Sequence, residues 1–271
     1  MRVGSVVVFG CLFSALVVAG EHGQDAALDL MAGRVQGEAF DMAARRVHAI
    51  KSPEHAIDFW YYIPEVASTN GALPLVLAYH GASERGLTAM KRWRASADKH
   101  GFIVVCPTSK CAGAYVKPAA SLKLTRGDYQ LELEAAVSVI DTLAAGERVD
   151  RRHLMVTGFS GGGNPAYHHA FVRPDLFGCV AIRSGNFPGA WLLGDATSPI
   201  VARASKKSSI LVLWGKRDHP IILEAGPQAV AWIRSIKVRD FEHQIIPRAG
   251  HLPQVERTAA WFARQLTKGA E

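Results

Sequence analysis

The stretch Leu154-Met155-Val156-Thr157-Gly158-Phe159-Ser160-Gly161-Gly162-Gly163 runs from an apolar segment into a serine framed by glycines, then into a segment with helical character. Gly-x-Ser-x-Gly in that setting is the pattern of a nucleophile elbow, a sharp strand-to-helix turn that lifts a serine above the edge of a sheet. The glycines at 158 and 162 are expected because side chains there would collide across so tight a turn. A phosphate-binding loop is the rival reading, but it requires a Gly-Lys-Ser/Thr ending that is missing here. The pattern alone is weak. Its place between an apolar strand and a helix gives it weight.

Working outward, apolar runs alternate with helical segments. Strands are expected at 55–63, 73–79, 102–106, 153–159, 179–183, 209–214 and 240–246. Helices are expected at 87–100, 129–145 with Asp128 as the N-cap, 164–172, 222–237 and 254–268. Most of the strands are apolar throughout, so the sheet should be largely parallel and covered on both faces. The fold class expected is α/β, one domain with a mostly parallel twisted sheet between two helical layers. Residues 183–209 leave room only for a short excursion, so the site should be open rather than capped.

Functional groups in such a fold sit just past the carboxyl ends of strands. A serine is inert at neutral pH without a base to take its proton. Asp218 follows the strand ending at Trp214, and His251 follows the strand ending at Ile246, in the serine–acid–histidine order of this type of fold. His219 would need another acid upstream, His243 lies within a strand, and His168 and His169 lie on the helix after the elbow. Asp195 and Asp240 stand at the wrong ends of strands. The catalytic set expected is therefore Ser160, Asp218 and His251. Gly161 N–H should supply one donor to an oxyanion, and Ala82 N–H, in His80-Gly81-Ala82-Ser83, the second, with Ser83 as the lesser choice. His80 should support that loop by hydrogen bonding and is also a candidate for the pocket. Tyr115, Phe187 and Trp191 are candidates for the pocket walls, with core packing an equal reading for Trp191.

Composition bounds the rest. The chain has 271 residues, 49% hydrophobic and 20% charged, which excludes disordered, collagen-like and multi-pass membrane classes. A net charge of +7 is spread without a continuous basic stripe, so no nucleic acid is expected as a partner. Met1-Arg2, an apolar run to Ala19 and the small pair Ala19-Gly20 read as a secretory signal peptide at 1–20, with an uncleaved anchor as the alternative. Gly10-Cys11 is a poor lipidation site, with few apolar residues before it and a long run after it. Residues 21–50 read as a lead-in holding a short helix, and 51–271 as the catalytic domain. After leader removal no stable membrane association is expected, and the location is secreted or periplasmic. Of the four cysteines, Cys106 and Cys111 are placed for a local bridge that leaves Cys179 as a buried thiol. No metal or organic cofactor is expected, and the sequence leaves the oligomeric state open.

The segments His80-Gly81, Phe102-Ile-Val-Val-Cys-Pro107, Gly158-Phe-Ser-Gly-Gly-Gly163, Ser184-Gly185-Asn186 and Gly250-His251 together resemble the secreted α/β-hydrolase esterases grouped with polyhydroxybutyrate depolymerases and feruloyl or acetylxylan esterases. The resemblance spans roughly residues 55 to 268 and implies an α/β-hydrolase serine carboxylesterase acting through an acyl-enzyme. It places the roles of serine, acid and histidine on Ser160, Asp218 and His251. Ala82 stands where many depolymerases have Cys or Gly, and the chain shows no Thr/Ser-rich linker. Two other readings of the same residues are a serine peptidase of this fold and a non-catalytic binding member.

Overall fold

The computed structural model describes residues 46–52, 55–65, 71–113, 123–146, 149–195 and 197–268. The leader at 1–20, the lead-in up to residue 45, Cys11 and Tyr115 lie outside the described residues.

Eight strands form one sheet: β1 Val47–Lys51, β2 Asp58–Tyr62, β3 Leu73–Tyr79, β4 Ile103–Pro107, β5 Val149–Phe159, β6 Cys179–Arg183, β7 Ser209–Gly215 and β8 Asp240–Ile246. Their order is β1-β2-β4-β3-β5-β6-β7-β8. The β1–β2 and β2–β4 pairs are antiparallel, and every pair from β4 through β8 is parallel. The expected class is thus the observed one. The described helices are α1 Gly86–His100, α2 Arg126–Gly146, α3 Gly163–Val172, α4 Ala190–Leu193, α5 Pro199–Lys207, α6 Pro220–Ser235 and α7 Val255–Lys268. None of them is long and apolar enough to cross a membrane.

Strand periodicity divides the core. Leu75, Leu77, Tyr79, Ile103, Val105, Leu154, Val156, Ile182 and Val212 join one buried cluster with residues of α2, α3 and α6. The alternate positions Val76, Val104, Met155 and Ala181 are equally buried, on the face where α1 and α7 pack. Burial on both faces explains why these strands read as unbroken apolar runs.

Several expectations need correction. The lead-in does not extend to residue 50: Val47–Lys51 is an edge strand paired with β2, and its burial pattern, one buried residue at Val47 among exposed ones, explains why it lacks an apolar signature. The strand expected from residue 55 starts at Asp58. Helix α2 starts at Arg126, so Asp128 is not its N-cap. Thr125 Oγ1 accepts the Asp128 N–H (3.3 Å) while Asp128 Oδ2 accepts the Thr125 N–H (2.8 Å), a reciprocal capping box. The 183–209 excursion holds two helices, α4 and α5, the second burying only Val201, Ala204 and Ser205. Cys106 and Cys111 are both free thiols. Cys106 lies on the α1 side of the sheet near Arg183, and Cys111 lies in the opposite layer beside Glu132, so the sheet separates them. Cys179 is free and half-buried.

Candidate active site

The carboxyl ends of β3, β5, β6, β7 and β8 bring the candidate groups to one rim. At the end of β5, Ser160 takes φ +51°, a left-handed conformation that costs a non-glycine residue about 1–3 kcal/mol and persists only when its surroundings enforce it. The surroundings are tight. A Cβ on Gly158 would lie 1.9 Å from Gly162 O, so the collision across the turn is real at that position. At Gly162 the obstacle is different: a Cβ would lie 2.4 Å from His80 O, on the neighbouring loop. Asn186 N–H donates to Ser160 O at 3.0 Å and closes the turn from the β6 side.

Asp218 and His251 meet across the ends of β7 and β8. His251 Nδ1 lies 2.6 Å from Asp218 Oδ1, with the Asp218 side chain fully enclosed (0% exposed) and that of His251 20% exposed. The His251 ring packs 4.8 Å from the ring of Phe159, the residue before Ser160, and 4.5 Å from that of His219. The 247–251 loop is seated on Gly215, where a Cβ would lie 2.4 Å from both Ala249 O and Gly250 O. Asp218 also accepts Ser184 Oγ–H at 2.6 Å, Gly215 N–H at 3.1 Å and His219 N–H at 2.8 Å. Burial pushes its pKa up, but these donors and His251 outweigh burial and hold it below the ordinary aspartate value. The sequence Ser184-Gly185-Asn186 gives no sign of this contact. Ser184 directly follows the buried strand β6 and is held at φ +43°.

The oxyanion candidates also converge. A Cβ on Gly161 would lie 2.5 Å from Ala112 O and 3.4 Å from Ala82 N, so the two candidate donors border one another. Among the described residues Ala82 N–H makes no hydrogen bond, whereas Ser83 N–H is already committed to Gly113 O at 2.7 Å. Ser83 is therefore excluded as the alternative donor. His80, only 1% exposed, turns away from solvent: its Nε2 accepts Ser109 N–H at 2.9 Å and its Nδ1 donates to Gly81 O at 2.7 Å. Burial lowers its pKa and keeps it neutral. It supports the loop and borders a small cavity shared with Phe159 and Arg183.

Arg183, at the end of β6, was missed because a charged residue closing an apolar strand reads as surface. It is fully buried, with Nε donating to Thr157 Oγ1 (2.9 Å), Nη1 to Pro253 O (3.0 Å) and Nη2 to Tyr79 O (3.3 Å), and its guanidinium lies 5.1 Å over the Trp93 ring. Burial pushes its pKa down to about 9. It ties β3, β5 and the His251 loop together behind the rim.

The pocket candidates divide. Phe187 is partly buried and packs against Tyr167 (5.5 Å) and Trp232 (5.6 Å) at the edge of the core. Trp191 is 50% exposed on α4, edge-on to Tyr129 at 6.0 Å, so it is neither a core residue nor fully free. His168 and His169 are buried in α3, Asp195 binds Thr197, and Asp240 meets Lys268. Among the described residues no group of His, Cys, Asp and Glu could hold a metal ion.

Comparison with known proteins adds the family. The family model Esterase, described as "Putative esterase", matches residues 50–268. The curated relative "Putative esterase NocK" of Nocardia uniformis subsp. tsuyamanensis is 28% identical over 147 residues, 54% of this chain and 40% of that protein. The matched stretch is thus under half the length of that relative. A solved ferulic acid esterase superposes with TM-score 0.64 at 16% identity, covering 80% of this chain and 97% of the other. A bacterial heroin esterase gives 0.63 at 14%, covering 92% of each chain. S-formylglutathione hydrolase FrmB of Staphylococcus aureus gives 0.60 at 15%, covering 80% and 95%. At these identities the structural likenesses carry the fold, and the family model carries the membership. The protein belongs to the Esterase family, and its sheet and helices follow the fold of the solved esterases it resembles.

Proposed function

We propose that the protein hydrolyses carboxylic esters with Ser160 as nucleophile, His251 as general base and acid, and Asp218 as the group that orients and stabilises the imidazole. The observation that carries this is the 2.6 Å His251–Asp218 contact, with the imidazole packed on the residue preceding a strained serine. Because Nδ1–H is held by the carboxylate, the Nε2 lone pair is the basic site. Nε2 takes the Ser160 proton as Oγ bonds to the ester carbonyl carbon, and Ala82 and Gly161 N–H groups receive the oxyanion. Collapse breaks the ester C–O bond, and His251 returns the proton to the departing alcohol. Water then attacks the acyl-enzyme, giving its proton to His251, and the acid leaves as Ser160 regains its hydrogen.

The sequence resemblance and the ferulic acid esterase likeness support feruloyl, acetyl or polyester-derived esters as the substrate class. The charge-free run from Val3 to Ala19 supports export with removal of 1–20. The test is hydrolysis of p-nitrophenyl acetate, methyl ferulate and acetylated xylan by wild-type and Ser160→Ala protein. The expected result is loss of about 10⁵-fold or more in kcat with Ser160→Ala and no cleavage of aminoacyl anilides by either. Equal rates in the two proteins would overturn the assignment of the nucleophile.

A further inference from the structure

We propose that Glu132, which lies behind the rim and touches no reacting atom, is a positioning residue for the oxyanion donors and acts through Ser109 and His80. The proposal rests on the assignment of Ala82 and Gly161 N–H groups as those donors.

The links are consecutive and buried. On α2, Glu132 Oε2 accepts Ser109 Oγ–H at 2.5 Å and Oε1 accepts Cys111 N–H at 2.8 Å. Ser109 Oγ in turn accepts Ala112 N–H at 2.8 Å, so one carboxylate and one hydroxyl organise the whole 109–113 turn. That turn meets the site at three points. Ser109 N–H donates to His80 Nε2 at 2.9 Å, Gly113 O accepts Ser83 N–H at 2.7 Å, and Ala112 O presses on Gly161.

The consequence for Ala82 follows from peptide geometry. Because His80 Nε2 accepts from Ser109, the ring proton sits on Nδ1 and is donated to Gly81 O at 2.7 Å. Gly81 C=O and Ala82 N–H belong to one planar trans peptide, so fixing the carbonyl in one direction fixes the N–H in the opposite one. Gly81 N–H, in the preceding peptide, is held separately by Glu84 Oε2 at 3.0 Å, so the loop is anchored on both sides of the Gly81 Cα. Removing the Glu132 acceptor leaves Cys111 N–H and Ser109 Oγ–H buried without partners, and the turn must shift to satisfy them. An oxyanion donor is used only as charge develops on the carbonyl oxygen. Misaimed donors therefore lower kcat and spare KM.

The experiment compares Ser109→Ala, Glu132→Gln and Glu132→Leu with wild type on p-nitrophenyl acetate, with rates per active site counted by fluorophosphonate titration. The expected fall in kcat is about 100-fold for Glu132→Leu, about 10-fold for Ser109→Ala and about 3-fold for Glu132→Gln, which retains one acceptor, with KM within about 2-fold. Affinity for a boronic acid that forms a tetrahedral serine adduct should weaken in step with kcat. Ser109→Ala and Glu132→Gln preserve the volume of the turn and decide the matter even if Glu132→Leu does not fold. Unchanged kcat per titrated site in those two variants, with Ser160→Ala inactive, would overturn the positioning role. Activity that survives Ser160→Ala would instead overturn the assignment of the nucleophile.

Discussion

Two buried carboxylates hold the two halves of this site, and they are used in opposite ways. Asp218 touches the imidazole directly and gathers four donors from Ser184, Gly215, His219 and His251, which together outweigh burial and keep it ionised. Glu132 stands behind the oxyanion loop with donors from Ser109 and Cys111, and there burial prevails and raises its pKa. The comparison teaches that the pKa of a buried acid follows the balance between the cost of burial and the donors around it, and the balance falls on opposite sides at these two residues. In the proposed mechanism the first stabilises the charge that forms on His251 during reaction. The second organises backbone.

The comparison is broken most sharply at Asp218. In Asp218→Asn no orientation of the amide avoids turning an N–H toward one of the donors, and the imidazole loses its tautomer control. Steady-state kinetics should show kcat lower by about 10⁴-fold, with KM changed far less. A loss under 10-fold would remove Asp218 from the catalytic set. A milder cut is Ser184→Ala, which deletes one charge-assisted bond worth about 1.5 kcal/mol, or roughly tenfold in kcat/KM. The sign in pH follows. With one donor fewer the carboxyl pKa rises, so it protonates sooner as pH falls, and the acid side of the pH–rate profile moves to higher pH. A profile unmoved in this variant would show that Ser184 does not support Asp218.

The smallest effect belongs to a carboxylate outside the site, which sharpens the comparison as an exposed reference. Glu256 on α7 accepts Ser96 Oγ–H (2.9 Å) and pairs with Lys99 and with His100 (3.1 Å) of α1. The Lys99 bond lowers its pKa most and, with the His100 and Ser96 bonds, brings it to about 2 against the opposing effect of burial. Its contribution is therefore present above the ordinary glutamate value and lost as pH falls toward 2. The side chain is half-exposed, so Glu256→Gln should cost under about 1 kcal/mol, read as a small drop in Tm at neutral pH that shrinks on acidification, with kcat unchanged. A large loss of activity would mean that the α1–α7 contact reaches the site.

The parallel half of the sheet was legible because β3 through β7 are buried on both faces and announce themselves as apolar runs. Of the antiparallel edge only β2 was legible: β1 has a single buried side chain, a pattern that a solvated loop also shows, as does α5 with three buried positions within nine residues. Of the candidate site, Ser160, Asp218 and His251 stand out in the sequence because each follows a strand end in a fixed chain order, and the structure places all three at one rim. Ser184 and Arg183 do not stand out, since a serine or an arginine after an apolar strand has no pattern that separates it from a loop residue. Glu132 was hidden for another reason. It sits among Leu131, Leu133 and Ala135 on a helix, and its partners Ser109 and Cys111 are far away along the chain. A disulfide at Cys106 and Cys111 was expected from their nearness in sequence, which ignores that the sheet lies between them.

The most direct measurement is a crystal structure of the wild-type protein after reaction with a small alkyl phosphonate, whose adduct mimics the tetrahedral intermediate. The account predicts phosphorus bonded to Ser160 Oγ, one phosphonyl oxygen about 3 Å from both Ala82 N and Gly161 N, and His251 still paired with Asp218. An adduct on another residue, or a phosphonyl oxygen directed away from Ala82 and Gly161, would contradict it.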